Sequence, residues 1–163
     1  MYRIGQGWDR HPLAAGRQCI LGGVEFRDCP VGPVGHSDGD AVCHAVTDAL
    51  LGAASLGDIG RHFPDTDPRW SGANSLELLR EAVRLVRKAG FKVANVDCTV
   101  ITELPAIAPQ AAAMQDSLAG AVQIDPDRVS VKATRGEGLG PEGRGECVTV
   151  QAVALLVAGQ GEG

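Results

Sequence analysis

Aromatic side chains are scarce in this chain of 163 residues: three Phe, two Trp and one Tyr, 4% of the total. A surface that stacks nucleic-acid bases needs more of them. A basic excess is missing too, since 15 Lys and Arg stand against 20 Asp and Glu for a formal charge of −5. General nucleic-acid binding draws on a positive field, so no nucleic-acid partner is expected. The longest apolar run, Ala152 to Ala158, is far too short to cross a bilayer, so no membrane association is expected. Residues 1–9 lack the apolar stretch of a secretory signal. Five cysteines, at 19, 29, 43, 98 and 147, give neither an even disulfide set nor a closely spaced thiolate pair for zinc. These absences point to a cytoplasmic protein with reduced, mostly buried thiols.

What remains is 44% hydrophobic and 21% charged, with a mean hydropathy of +0.00. That composition suits one globular domain over residues 1–163, with neither repeats nor low-complexity linkers. Ile4 opens a strand toward Asp9, and Gln18 to Phe26 reads as a second. Residues 38–54 carry an apolar helical stripe at Val42, Ala45, Val46, Ala49 and Leu50, with Ser37 or Asp38 as cap and Gly57 beyond the end. A second helix runs from about Ser75 to Ala89, between an Asn74–Glu77 start and a Gly90 stop. Phe91 to Thr102 is a long strand, Pro109 to Gly120 a third helix, and Arg128 to Thr134 and Cys147 to Val157 complete the strands. The order β-β-α-α-β-α-β-β predicts an α+β fold, a sheet with helices packed on one face.

Asp9 and His11 stand two apart in an extended segment, so both side chains can reach one ion. His44, on a helix face, could add a third ligand. Two imidazoles and a carboxylate leave zinc a fourth, open position, although an Asp-x-His pair is also an ordinary surface feature. Asp40 and Asp48, at i−4 and i+4 from His44, either orient the imidazole or solvate the helix. The stretch 35–40, at a helix start, is an anion site or a set of capping residues. Residues 57–60 and 63–68 are dense in turn formers, as connectors or as loops over a site. Residues 132–140 run from a strand into a Gly-rich loop that fits a phosphate and a divalent ion, or a plain hairpin.

These segments together resemble the 2-C-methyl-D-erythritol 2,4-cyclodiphosphate synthase family. The specific stretches are His36-Ser-Asp-Gly-Asp-Ala-Val-Cys-His44-Ala-Val-Thr-Asp-Ala-Leu-Leu-Gly52, Leu56-Gly-Asp-Ile-Gly60 and Phe63-Pro-Asp-Thr-Asp-Pro68, within a likeness running from Arg3 to about Val157. The resemblance implies closure of a cytidine-diphosphate ester of methylerythritol 2-phosphate into a cyclic diphosphate, with release of CMP. It implies zinc on Asp9, His11 and His44, and Mg²⁺ or Mn²⁺ on Glu137. Catalytic parts fall to His36 and Arg135. Substrate contacts fall to Asp9, His11, His36, Ser37, Asp58, Ile59 and Gly60, and to the loop Phe63, Pro64, Asp65, Thr66 and Asp67. The cytosine pocket falls to Thr102, Leu104, Pro105, Ala106, Ile107 and Ala108, and the phosphates to Thr134, Arg135 and Glu137. The resemblance further implies a homotrimer with active sites between subunits, and a central apolar cavity for an isoprenoid phosphate with Arg144 and Glu146 at one end. Arg135, Gly138, Pro141 and Ala106 depart from the family's usual residues. Those departures motivate a second reading, a catalytically impaired paralogue that binds nucleotide or isoprenoid phosphate. A zinc hydrolase is a third.

Overall fold

The computed structural model describes residues 1–159. Its strands are β1 (Tyr2–Ala15), β2 (Ile20–Leu21), β3 (Val24–Glu25), β4 (Val31–Pro33), β5 (Phe91–Ile101), β6 (Val129–Thr134) and β7 (Cys147–Ala158). Its helices are α1 (Ala41–Ala53), α2 (Ile59–His62), α3 (Ser75–Lys88), α4 (Ala111–Val122) and α5 (Gly140–Gly143). Five strands form one sheet in the order β4-β1-β7-β5-β6. β7 lies at its centre, antiparallel to β1 from Pro12↔Cys147 to Tyr2↔Val157 and antiparallel to β5 on its other side. β6 runs parallel to β5.

Alternation along the strands sorts the two faces. Val148, Val150, Ala152, Ala154 and Leu156 of β7 and Val93, Val96, Cys98 and Val100 of β5 are buried under the helices. The other face carries only the one-turn α5, whose Glu142 meets Thr149 and Arg10, and Tyr2, Ile4, Trp8 and Val153 are exposed there. The long helices α1, α3 and α4 are therefore on one face, as the element order predicts, and only the short α5 lies on the other. Helix α3 buries Leu78, Leu79, Ala82, Val83 and Val86 along one stripe, capped by Asn74, whose side chain accepts from Leu76 N at 2.9 Å.

The prediction differs from the structure where glycine and tertiary contacts intervene. Residues 18–26 are not one strand but the β2–β3 hairpin, turned at Gly22 (φ +59°) and Gly23 (φ +74°). Helix α1 begins three residues later than its expected start, capped by Asp40 and not by Ser37 or Asp38. The buried Asp40 carboxylate takes Val42 N and Cys43 N at the helix start and Gly22 N and Gly23 N from the hairpin, at 2.7–3.1 Å. One carboxylate thus satisfies helix donors and a tight turn together. β1 continues past Asp9 to Ala15, and α4 ends at Gln123 in a left-handed conformation.

Helix α1 lies unusually close to β1. A Cβ on Gly5 would stand 2.0 Å from the Ala49 carbonyl oxygen, and one on Gly7 1.9 Å from that of Ala45. Backbone cannot yield as a side-chain tip does, so Gly7→Ala must push the helix outward. The expected cost is about 3 kcal/mol, at the upper end for overpacking, read as a lower denaturant midpoint. A midpoint equal to wild type would contradict this packing.

Candidate active site

Two residues beyond Gly7 on β1 and one before Ala45 on α1, the strand and helix bring Asp9, His11 and His44 together. His11 Nε2 lies 2.8 Å from Asp9 Oδ2, His44 Nδ1 lies 3.1 Å from the same oxygen, and the two nitrogens are 3.1 Å apart. The outward nitrogens explain why the inward ones converge. His11 Nδ1 is 2.7 Å from the Val34 carbonyl oxygen, which can only accept, so that nitrogen carries the proton. Ser75 Oγ donates to Asp38 Oδ1, leaving its oxygen free to accept from His44 Nε2 at 2.9 Å. Ser37 Oγ is 3.0 Å from that same nitrogen. With both outer nitrogens protonated, two imidazole lone pairs and a carboxylate face one point.

Three acceptors that close repel unless a cation lies among them. Burial pushes the Asp9 carboxyl up, but the hydrogen bonds and charge that His11 and His44 offer when protons sit on their inward nitrogens outweigh it and hold Asp9 well below the usual carboxylate range. Burial lowers the His11 imidazole, and the bond and charge of Asp9 more than restore it, leaving it raised. The cluster therefore draws a proton when nothing else is bound. A divalent metal satisfies all three ligands at once, and the His/His/Asp set suits zinc or a neighbouring transition ion. Among the described residues it is the single cluster of this kind.

The flanking acids serve elsewhere. Asp40 caps α1, and Asp48 Oδ1 accepts from Ile59 N at 2.7 Å, anchoring the 57–60 loop. The groups that orient the imidazoles are Val34 O, Ser37 and Ser75. Sequence reasoning missed Val34 and Ser75, because one acts through its backbone and the other arrives from α3.

The cluster opens into a cleft of about 390 Å³. His11, His36, Ser37 and His44 line it with Ile59, Gly60, Phe63, Pro64 and Asp65, which joins two of the predicted loops to the metal ligands. Trp70 and Leu78 complete the apolar lining, and no motif signalled either. Trp70 meets Phe63 edge to face at 5.2 Å. Asp58, Thr66 and Asp67 do not line the cleft: Asp58 caps α2 through Arg61 N, and Asp67 is bound by Arg69.

A second hollow of about 210 Å³ is lined by Thr102, Pro105, Ala106, Ile107, Ala108, Ala133, Thr134 and Arg135. Leu104, Glu137 and Arg144 lie outside both linings, and Arg144 is paired with Glu146 at 2.7 Å. The hollows share no residue. Sheet order explains why: Asp9 and His11 stand on β1, whereas the second hollow is built at the ends of β5 and β6, on the far side of β7.

The family model described as the YgbB family matches residues 2–157. The 2-C-methyl-D-erythritol 2,4-cyclodiphosphate synthase of Laribacter hongkongensis is 58% identical over 154 residues, covering 94% of both chains. Among solved structures, the bifunctional IspDF of Campylobacter jejuni superposes with a TM-score of 0.93 at 40% identity, over 97% of this chain. This chain spans only 42% of that longer one. A 2C-methyl-D-erythritol-2,4-cyclodiphosphate synthase in its CDP-bound form gives a TM-score of 0.87 at 44% identity, covering 95% of this chain and 100% of the other.

His44→Ala is expected to abolish stoichiometric divalent-metal binding. Ser75→Ala should keep the ligands and weaken the metal by about tenfold, the lower end for loss of an orienting partner, since Ser37 remains. Chelator competition measures both, and a Ser75→Ala affinity equal to wild type would contradict the orienting role.

Proposed function

The chain belongs to the YgbB family, and from that premise we propose that it is a 2-C-methyl-D-erythritol 2,4-cyclodiphosphate synthase in non-mevalonate isoprenoid biosynthesis. The observation that carries this reading is the cleft itself, where the metal ligands, His36 and Ser37 face the 59–65 loops. In the reaction, an oxygen of the substrate's 2-phosphate attacks the β-phosphorus of its diphosphate. The bond from β-phosphorus to the bridging oxygen breaks, and that oxygen leaves with CMP. Both reacting groups are anions, so the barrier is one of charge and approach, and no side chain need become covalently attached.

The residues divide this work. Ile59, Phe63, Pro64 and Trp70 supply an apolar wall for the methylerythritol carbon chain, with Asp65 for its hydroxyls. His36 and Ser37 face the 2-phosphate. Thr102 and residues 105–108 enclose the cytosine, while Thr134 and Arg135 meet the diphosphate. Arg135 replaces a hydroxyl with a charged fork suited to phosphate. Asp9, His11 and His44 would hold zinc, which when bound supplies Lewis-acid polarisation of a phosphoryl oxygen. Glu137 would hold Mg²⁺ or Mn²⁺, ions that commonly need only one or two carboxylates beside substrate phosphates.

Two features support a homotrimer with composite sites. The metal cleft and the nucleotide hollow share no lining residue, and β7 separates the strand of the one from the strands of the other, which favours a substrate held between two chains. The open sheet face leaves Tyr2 75%, Ile4 73% and Trp8 48% exposed, and apolar surface of this kind marks an interface. Arg144 and Glu146 would then stand at one end of a central cavity able to take an isoprenoid phosphate. Among the described residues no helix is long and apolar enough to cross a membrane, and the proposed setting is the cytoplasm.

Phosphorus NMR of the metal-loaded protein with 4-diphosphocytidyl-methylerythritol 2-phosphate and Mg²⁺ should show cyclic diphosphate and CMP. Linear phosphates or unchanged substrate would overturn the assignment. Sedimentation should give three times the 16.9 kDa chain mass, and a monomer that cyclises substrate would contradict the composite site.

A further inference from the structure

Glu103 sits among the residues that enclose the nucleotide hollow but does not line it. Its carboxylate crosses to the loop after β6. Oε1 accepts the Glu137 backbone N–H at 2.8 Å, and Oε2 lies 4.0 Å from Arg135 Nε. That loop needs support. Glu137 has φ +50° between Gly136 and Gly138, a left-handed conformation that residues with a Cβ rarely adopt. Among the described residues, Glu103 makes the only side-chain hydrogen bond to the backbone of residues 135–138.

A carboxylate beside a hollow that receives a diphosphate would repel its ligand if left free. Here its charge is engaged on both oxygens, by an N–H and by a guanidinium. The Arg135 contact is loose, through Nε, and the Arg135 side chain is 62% exposed, so its terminal nitrogens stay available to an anion. We propose that Glu103 is a positioning residue for the diphosphate: it holds Glu137 in its left-handed conformation and aims Arg135 across the mouth of the nucleotide hollow. This rests on the reading that Arg135 and Glu137 face the diphosphate.

The test compares Glu103→Ala with Glu103→Gln, whose amide oxygen can still accept the Glu137 N–H. In the metal-loaded protein, Ala should speed hydrogen exchange of the Glu137 amide by roughly tenfold or more and weaken CDP, measured by calorimetry, by roughly tenfold, the scale of one hydrogen bond to a charged group. The KM for substrate should rise with the CDP affinity loss, while kcat changes less. Gln should restore the slow exchange. Unchanged Glu137 exchange in the Ala variant overturns the proposal, as does equal loss of protection in Gln and Ala. Faster exchange with unchanged CDP affinity overturns the link to the diphosphate. Should wild type bind CDP without cyclising substrate, the assigned reaction fails while exchange and CDP affinity still decide the part played by Glu103.

Discussion

The close approach of α1 to β1 is the constraint on which the site depends. Gly5 and Gly7 remove the two Cβ atoms that would otherwise meet helix carbonyls at about 2 Å. The helix settles onto the strand, and His44 arrives opposite Asp9 and His11. Asp40 fixes where that helix starts by taking four backbone N–H groups, two of them from the β2–β3 hairpin. A helix free to begin elsewhere would carry His44 around its axis and away from the carboxylate.

Around this seam the hydrogen-bond network decides protonation. Val34 O and the serine pair take the outward imidazole protons, which turns the inward nitrogens into ligands. A cation bound there would relieve the repulsion of three convergent acceptors. The same network ties the cleft together, because Asp38 also receives Ser75 N at 3.0 Å and its own N–H reaches Ala73 O at 3.1 Å. The loop bearing His36 and Ser37 is thereby fixed to the start of α3, beside Trp70 and Leu78. Asp48 does the corresponding work for Ile59 and Gly60.

Much of this was legible in the sequence, and the failures have physical causes. Asp9 and His11 could be paired from strand alternation alone, and α3 from its apolar stripe and Asn74 cap. His44 and the two loops were candidates among alternatives until the family resemblance gave them roles, and three of the loop residues, Asp58, Thr66 and Asp67, do not line the cleft. Residues 18–26 misled because β-branched and apolar residues outweighed Gly22 and Gly23, which turn the chain midway. Asp40 and Asp48 were candidates to orient His44 because i±4 spacing treats a helix in isolation. Tertiary contacts gave Asp40 the hairpin and Asp48 the Ile59 amide. Ser75 and Trp70 carried no local signal, since their positions depend on how α3 and the preceding turn pack against α1.

The central claim is that the α1–β1 seam builds a metal centre from Asp9, His11 and His44. X-ray absorption at the zinc edge of the purified, zinc-loaded protein tests it most directly. The account predicts nitrogen and oxygen neighbours at about 2.0–2.1 Å, with outer-shell scattering from two imidazole rings and no sulfur. A sulfur neighbour at about 2.3 Å, or scattering from fewer than two imidazoles, would contradict it.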